Sequence, residues 1–133
     1  MAAHLIERFA QVRTASGTME AFIARPDGGG PFPAVLLYMD MWGMRETLFE
    51  LARRVATAGY YCLMPDLYYR GGRIRHADRD VPRPGISFAD LAPERQTVLL
   101  AAMNGLSDAM VTRDTASILD FIDRGEPVRQ GPI

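Results

Sequence analysis

The chain has no lysine: all fifteen of its basic residues are arginine, set against sixteen acidic ones for a formal charge of −1. An internal amine is therefore excluded, and with it Schiff-base chemistry and the lysine of a phosphate-binding P-loop. Codon composition alone would produce the same arginine bias. A charge this close to zero leaves no electrostatic footprint for a nucleic-acid backbone or an anionic membrane, so neither is expected as a partner. Cysteine and histidine are almost as scarce. Cys62 has no second cysteine to form an internal disulfide, and His4 and His76 lie too far apart to complete a zinc site with it. No metal and no cofactor is expected. No early apolar run has the form of a signal peptide, and none elsewhere approaches the ~20 residues that span a bilayer. These absences point to a cytoplasmic protein.

What is present is an ordinary globular composition, 48% hydrophobic and 23% charged, in 133 residues. That length suits a single domain, residues 1–133, with a genuine core. Leu5 to Val12 and Met19 to Ala24 partly alternate apolar and polar residues across the turn-forming segment Thr14-Ala15-Ser16-Gly17-Thr18, which predicts an antiparallel hairpin. Two prolines and three consecutive glycines in 25–31 make a loop. The glycines precede the next strand and no Lys-Ser/Thr follows them, so a phosphate loop is not supported.

The apolar run Pro33-Ala34-Val35-Leu36-Leu37-Tyr38-Met39 has the character of a strand covered on both faces, ended by Asp40. Leu48, Leu51, Ala52, Val55 and Ala56 then recur at helical spacing over 46–58, with Gly59 at the C-cap position. A second apolar run, Tyr60-Tyr61-Cys62-Leu63-Met64, is closed by Pro65. Hairpin, strand, helix and strand in this order define an α/β class with a parallel β-α-β unit, strands 34–39 and 60–64 lying side by side.

The charged, Gly/Pro-rich stretch 70–90 is a long connection suited to a lid or pocket wall. Pro93 opens a helix toward Leu106 with Val98, Leu99, Ala102 and Leu106 as its stripe. A further helix over 108–124 carries Val111, Thr115, Ile118, Leu119 and Ile122, ended by Gly125. An amphipathic helix in such a fold normally leads into another strand within a few residues. Here the sheet is expected to be incomplete at the C-terminus.

Ligands in parallel sheets bind at the carboxyl ends of strands. Two such ends are present, Tyr38-Met39-Asp40-Met41-Trp42-Gly43-Met44-Arg45 and Pro65-Asp66-Leu67-Tyr68-Tyr69-Arg70. Asp40 here could simply hold loop N–H groups ahead of the helix. Together, Asp40-Met41-Trp42-Gly43 and Pro65-Asp66-Leu67-Tyr68, with Gly59-Tyr60 opening the second strand and Glu94-Arg95-Gln96 opening a later helix, resemble the dienelactone hydrolase family. The likeness covers most of residues 19–133.

The resemblance implies an α/β-hydrolase-type sheet and a Cys or Ser, His and Asp triad that hydrolyses esters or lactones. It places the nucleophile elbow, the Asp and the His beyond Ile133, so this chain would be the N-terminal portion of the fold. Its natural partners would be a small-molecule ester or lactone and the C-terminal half of the same enzyme. The chain by itself would be inactive. The resemblance puts Met41 in the oxyanion hole through its backbone N–H and Asp40 where the family has a Glu that contacts the nucleophilic thiol, one methylene longer than Asp. Trp42, Tyr68, Tyr69 and Arg70 are candidates to wall the substrate pocket. Thr97 stands where the dienelactone enzymes carry an arginine for the substrate carboxylate, so dienelactone itself does not follow.

Within the chain the closest approach to a G-x-S/C-x-G elbow is Gly85-Ile86-Ser87-Phe88-Ala89, which has no strand before it. Cys62 lies inside an apolar strand and is expected to be a small core residue. Two functional classes remain: half of a carboxylic ester or lactone hydrolase, or a catalytically silent α/β module that binds a small molecule or a partner chain. A nucleotide-binding domain is disfavoured because no G-x-G-x-x-G follows either apolar strand.

Overall fold

The structure, a computed structural model, describes residues 4–72 and 88–131. The Gly85–Ala89 serine motif therefore falls largely outside the described residues, as does most of the 70–90 connection. Strands β1 (Leu5–Thr14) and β2 (Gly17–Pro26) form the expected antiparallel hairpin, with Leu5 opposite Pro26 and Thr14 opposite Gly17. The reversal takes two residues. Thr14 Oγ1 accepts the Ser16 N–H at 3.1 Å and lies 3.1 Å from the Gly17 carbonyl. Gly17 supplies a φ of +142° that side chains resist.

Strand β3 (Ala34–Leu36), helix α1 (Glu46–Thr57) and strand β4 (Tyr61–Pro65) follow, and the sheet order is β1-β2-β4-β3. Strand β4 runs parallel to β3, with Ala34 beside Tyr61 and Leu36 beside Leu63, and antiparallel to β2. The expected β-α-β unit is thus present, but β3 is shorter than the apolar run 33–39. Proline explains the difference. The Leu37 N–H still donates to the Leu63 carbonyl at 2.9 Å. The next rung of a parallel ladder would need an N–H from Pro65 to reach the Leu37 carbonyl, and proline has none. From there the chain leaves the sheet, and Tyr38 turns its hydroxyl to Thr115 Oγ1 at 2.5 Å.

Side-chain alternation along the strands feeds two apolar layers. On one face Val12, Met19, Ala21, Ile23, Tyr61 and Leu63 pack against Ile118 and Ile122 of helix α3 (Asp108–Gly125). On the other, Phe22, Ala24, Cys62 and Met64 meet Met44 and Leu48, Ala52 and Ala56 of α1. The small Ala52 and Ala56 let α1 approach the sheet closely. Leu51, expected on the buried stripe, is 41% exposed. In helix α2 (Pro93–Asn104) Leu99 is buried, whereas Val98 and Leu100 are exposed. Three consecutive apolar residues cannot share one face of a helix. The buried positions of α3 are Asp114, Ile118 and Ile122, so an acidic residue occupies part of the stripe, and Leu119 faces outward.

The C-terminal end of α3 is fastened to the sheet by Glu126, which accepts the Tyr61 hydroxyl at 2.7 Å and pairs with Arg8. Just beyond it, Val128 makes a parallel bridge to Phe32, with Phe32 N–H donating to Pro127 at 2.9 Å and Arg129 N–H to Phe32 at 2.7 Å. Chain after α3 therefore begins to pair along the outer edge of β3. Farther along that edge lies a cavity of about 490 Å³ lined by Ala34, Val35, Leu36, Tyr38, Thr115 and Leu119. No described helix is long and apolar enough to cross a membrane.

Candidate active site

The carboxyl ends of β3 and β4 bring together the two loops singled out in the sequence. After Met39 the chain makes a turn in which the Asp40 carbonyl accepts the Gly43 N–H at 3.0 Å. Gly43 is at φ +81°, the left-handed region where glycine is favoured. The Asp40 carboxylate closes the turn from outside, Oδ1 accepting the Trp42 N–H at 3.1 Å. Arg45 then grips both carboxylate oxygens, at 2.6 and 2.9 Å, and also donates to the Gly43 carbonyl at 3.2 Å. The Arg45 side chain is only 10% exposed, while that of Asp40 is 45% exposed. Buried Met44 pins the far end of the loop beneath α1.

The second loop is built on Asp66, which extends the sheet by donating its N–H to the Glu20 carbonyl at 2.8 Å. Its carboxylate accepts the Tyr68 N–H at 3.1 Å, and its carbonyl accepts the Tyr69 N–H at 3.3 Å. Tyr68 is thereby directed at the first loop, and its hydroxyl donates to the Met41 carbonyl at 2.8 Å. Burial, with Asp40 and Asp66 adding negative potential, raises the Tyr68 hydroxyl above its ordinary pKa and keeps it a donor.

Asp40, Met41, Trp42 and Tyr68 thus converge, with the Trp42 ring 6.3 Å from that of Phe88. Tyr69 and Arg70 are turned elsewhere. The Tyr69 hydroxyl donates to Asp114 Oδ1 at 3.0 Å and shares a hydrogen bond with Thr14 Oγ1 at 2.7 Å. Arg70 forks onto Asp114 at 2.8 and 2.9 Å and lies over the Tyr69 ring at 4.7 Å. The hydrogen bonds to Asp114 raise the Arg70 guanidinium pKa against the opposing effect of burial. Asp114 is 1% exposed. Arg70 and Tyr68 do line one cavity of about 190 Å³, together with Ala101, Ala102 and Gly105.

Two residues that organise these loops, Arg45 and Asp114, were not singled out from the sequence. The signal for Asp114 was its place one turn before Ile118, an acid on an apolar stripe. Arg45 carried no comparable signal. Cys62 is buried, and burial pushes its thiol up to about 12. Among the described residues no group of three or more His, Cys, Asp or Glu could hold a metal ion.

A four-stranded mixed sheet with helices on both faces and loops gathered at the carboxyl ends of its parallel strands is an α/β-hydrolase-type arrangement. It superposes on a dienelactone hydrolase homologue from Klebsiella pneumoniae with a TM-score of 0.69 and 24% identity, over 95% of this chain and 46% of that one. In sequence, the profile of the Dienelactone hydrolase family matches residues 19–125. The chain belongs to that family. A carboxymethylenebutenolidase homologue of Methylorubrum extorquens is 40% identical over 58 residues, 44% of this chain and 20% of the relative. Another, from Azospirillum brasilense, is 28% identical over 90 residues, 68% of this chain and 34% of the relative. The matches thus span about a third or less of these relatives' length.

Two consequences can be measured. Removing Arg70 takes the main partner from the buried Asp114 side chain, so Arg70→Ala is expected to lower stability by about 3 kcal/mol in urea unfolding. An effect below a few tenths would mean that water replaces the guanidinium. The Cys62 thiol should resist iodoacetamide at pH 8 in the folded protein and react once the chain is unfolded in denaturant. Because its pKa is raised, the contribution of Cys62 to stability is fully present below the unfolded value. It falls as pH climbs toward about 12, the unfolded chain losing its proton first.

Proposed function

We propose that the protein to which this chain belongs hydrolyses a carboxylic ester or lactone, with a nucleophile-His-Asp triad supplied from beyond these residues. In this reading the chain contributes the oxyanion loop and part of the pocket wall. The observation that carries it is the Met41 N–H. A peptide unit is planar and trans, so its N–H and C=O point in opposite directions. With the Asp40 carbonyl turned inward onto Gly43, the Met41 N–H faces out of the turn. It donates to no described residue. Such a donor at a strand end suits an oxyanion that develops as an ester carbonyl is attacked.

Asp40 serves this site as the anchor of the turn. Its two oxygens are engaged by Arg45 and the Trp42 N–H, which favours loop anchoring over direct contact with a nucleophile. Tyr68 and Trp42 flank the donor, and Arg70 braces the second loop through Asp114. The buried, protonated Cys62 is unsuited to attack, so the nucleophile belongs to a strand added outside β3, where Val128 already pairs with Phe32. The same open edge favours a second reading, a silent module that binds a partner chain there.

Activity separates the two. The 133-residue chain alone is expected to leave p-nitrophenyl acetate hydrolysis at background, whereas a longer protein carrying a G-x-C/S-x-G segment after it hydrolyses the ester with turnover. An inactive longer protein would favour the silent module, and activity of the short chain abolished by Ser87→Ala would make the loop serine the nucleophile. In the active protein Asp40→Asn is expected to cost about 1 kcal/mol of stability, the upper end for an ion pair with a partly exposed partner. Its kcat/KM should keep an unshifted pH profile. A displaced profile would instead place the carboxylate on the nucleophile.

A further inference from the structure

The peptide unit joining Met41 to Trp42 is held at both ends. Its N–H is taken by the Asp40 carboxylate at 3.1 Å and its carbonyl by the Tyr68 hydroxyl at 2.8 Å. The Asp40 contact is local, two residues away. The Tyr68 contact crosses 27 positions of sequence and comes from the loop after β4. Tyr68 is itself immobilised: it is 7% exposed, and the Asp66 carboxylate holds its N–H at 3.1 Å. Asp66 in turn is locked to β2 through Glu20. A rigid path therefore leads from the centre of the sheet to one carbonyl oxygen in the Asp40–Gly43 turn.

That carbonyl sits next to the donor. Carbonyl and N–H belong to the same residue, so a hydroxyl that holds the Met41 carbonyl restrains the Met41 Cα and with it the place of the Met41 N–H. From this juxtaposition we infer that Tyr68 is a positioning residue, whose hydroxyl holds the 41–42 peptide and thereby keeps Met41, with its N–H, at the place where the oxyanion would develop. The inference rests on the ester-hydrolase reading and deepens it. In this role Tyr68 acts through the backbone and not through contact with the substrate or the nucleophile. The arrangement also explains why a tyrosine at this place is turned toward a loop carbonyl instead of solvent, and it assigns the Asp40 carboxylate and the Tyr68 hydroxyl to one task.

The test uses the longer, nucleophile-bearing protein with p-nitrophenyl acetate. Tyr68→Phe keeps the ring and removes the clamp. It should lower kcat about 10- to 100-fold, the scale of a small misplacement of a catalytic group, with KM changed less than about twofold. Asp40→Ala frees the other end of the same peptide and should give the same split between kcat and KM. The double variant should lose less than the product of the two, because one peptide can be released only once. A structural role alone would lower the unfolding midpoint without this split or this coupling.

If wild type is active and Tyr68→Phe retains its kcat, or if the two losses multiply independently, the positioning role is overturned while the ester-hydrolase reading stands. Should wild type show no turnover, that reading falls and the positioning role falls with it. If Tyr68→Phe does not fold, Tyr68→Met, which removes the hydroxyl and keeps a long apolar side chain, is measured in its place. Retained turnover with the kcat-against-KM split supports the role, and wild-type kcat with no split overturns it.

Discussion

Pro65 cannot donate to the Leu37 carbonyl, and much of the site depends on that missing hydrogen bond. Strand β4 lies between β2 and β3, and all five of its residues are buried. Tyr61 and Leu63 reach the layer under α3, while Cys62 and Met64 reach the layer under α1. Burying each large apolar side chain contributes roughly 1.5–3 kcal/mol, so the register of β4 is strongly determined. Once that register is set, so is the position of Pro65, and with it the point where β3 runs out of donors. The chain is released at Leu37, just far enough ahead of Asp40 for a turn to form above the sheet.

Most of the charged and polar side chains near this turn serve the scaffold. Asp40 and Arg45 close the first loop, and Asp66 shapes the second. Arg70 and Tyr69 converge on Asp114, and the Tyr69 hydroxyl also meets Thr14, tying the second loop to α3 and to the end of β1. A buried carboxylate such as Asp114 is costly to desolvate unless its hydrogen bonds are made, and here a guanidinium and a phenol make them. The group left facing outward is a main-chain N–H. Backbone donors held by a rigid surround need little reorganisation when charge develops beside them, which suits an oxyanion site better than a mobile side chain would.

Much of the fold was legible from local pattern. The hairpin, α1, β4 and α3 follow from alternation, helical spacing and the punctuation of Gly and Pro, because those signals depend on residues a few positions apart. The departures have equally local causes. Residues 37–39 are as apolar as 34–36 and gave no reason to leave the strand; the reason lies in the neighbouring strand. Val98, Leu99 and Leu100 offered α2 three different faces, and the packed structure buries Leu99. Leu51 and Leu119 fitted their stripes by spacing but remain exposed at the margins of the two packed faces.

By itself the sequence determined the element types, the family likeness carried by Asp40–Gly43 and Pro65–Tyr68, and the burial of Cys62 within an apolar run. It also determined that the two loops share one end of the sheet, since strands joined by a single helix lie parallel. Tertiary structure alone decided where the polar groups point. Tyr68, Tyr69 and Arg70 are consecutive and were indistinguishable as candidate pocket residues, yet Tyr68 is turned to Met41 and the other two to Asp114, 44 and 45 positions away. A residue's hydrophobic period is written in its neighbours along the chain. The partner of its hydroxyl or guanidinium is set by whichever distant element packs beside it, and local spacing carries no record of that.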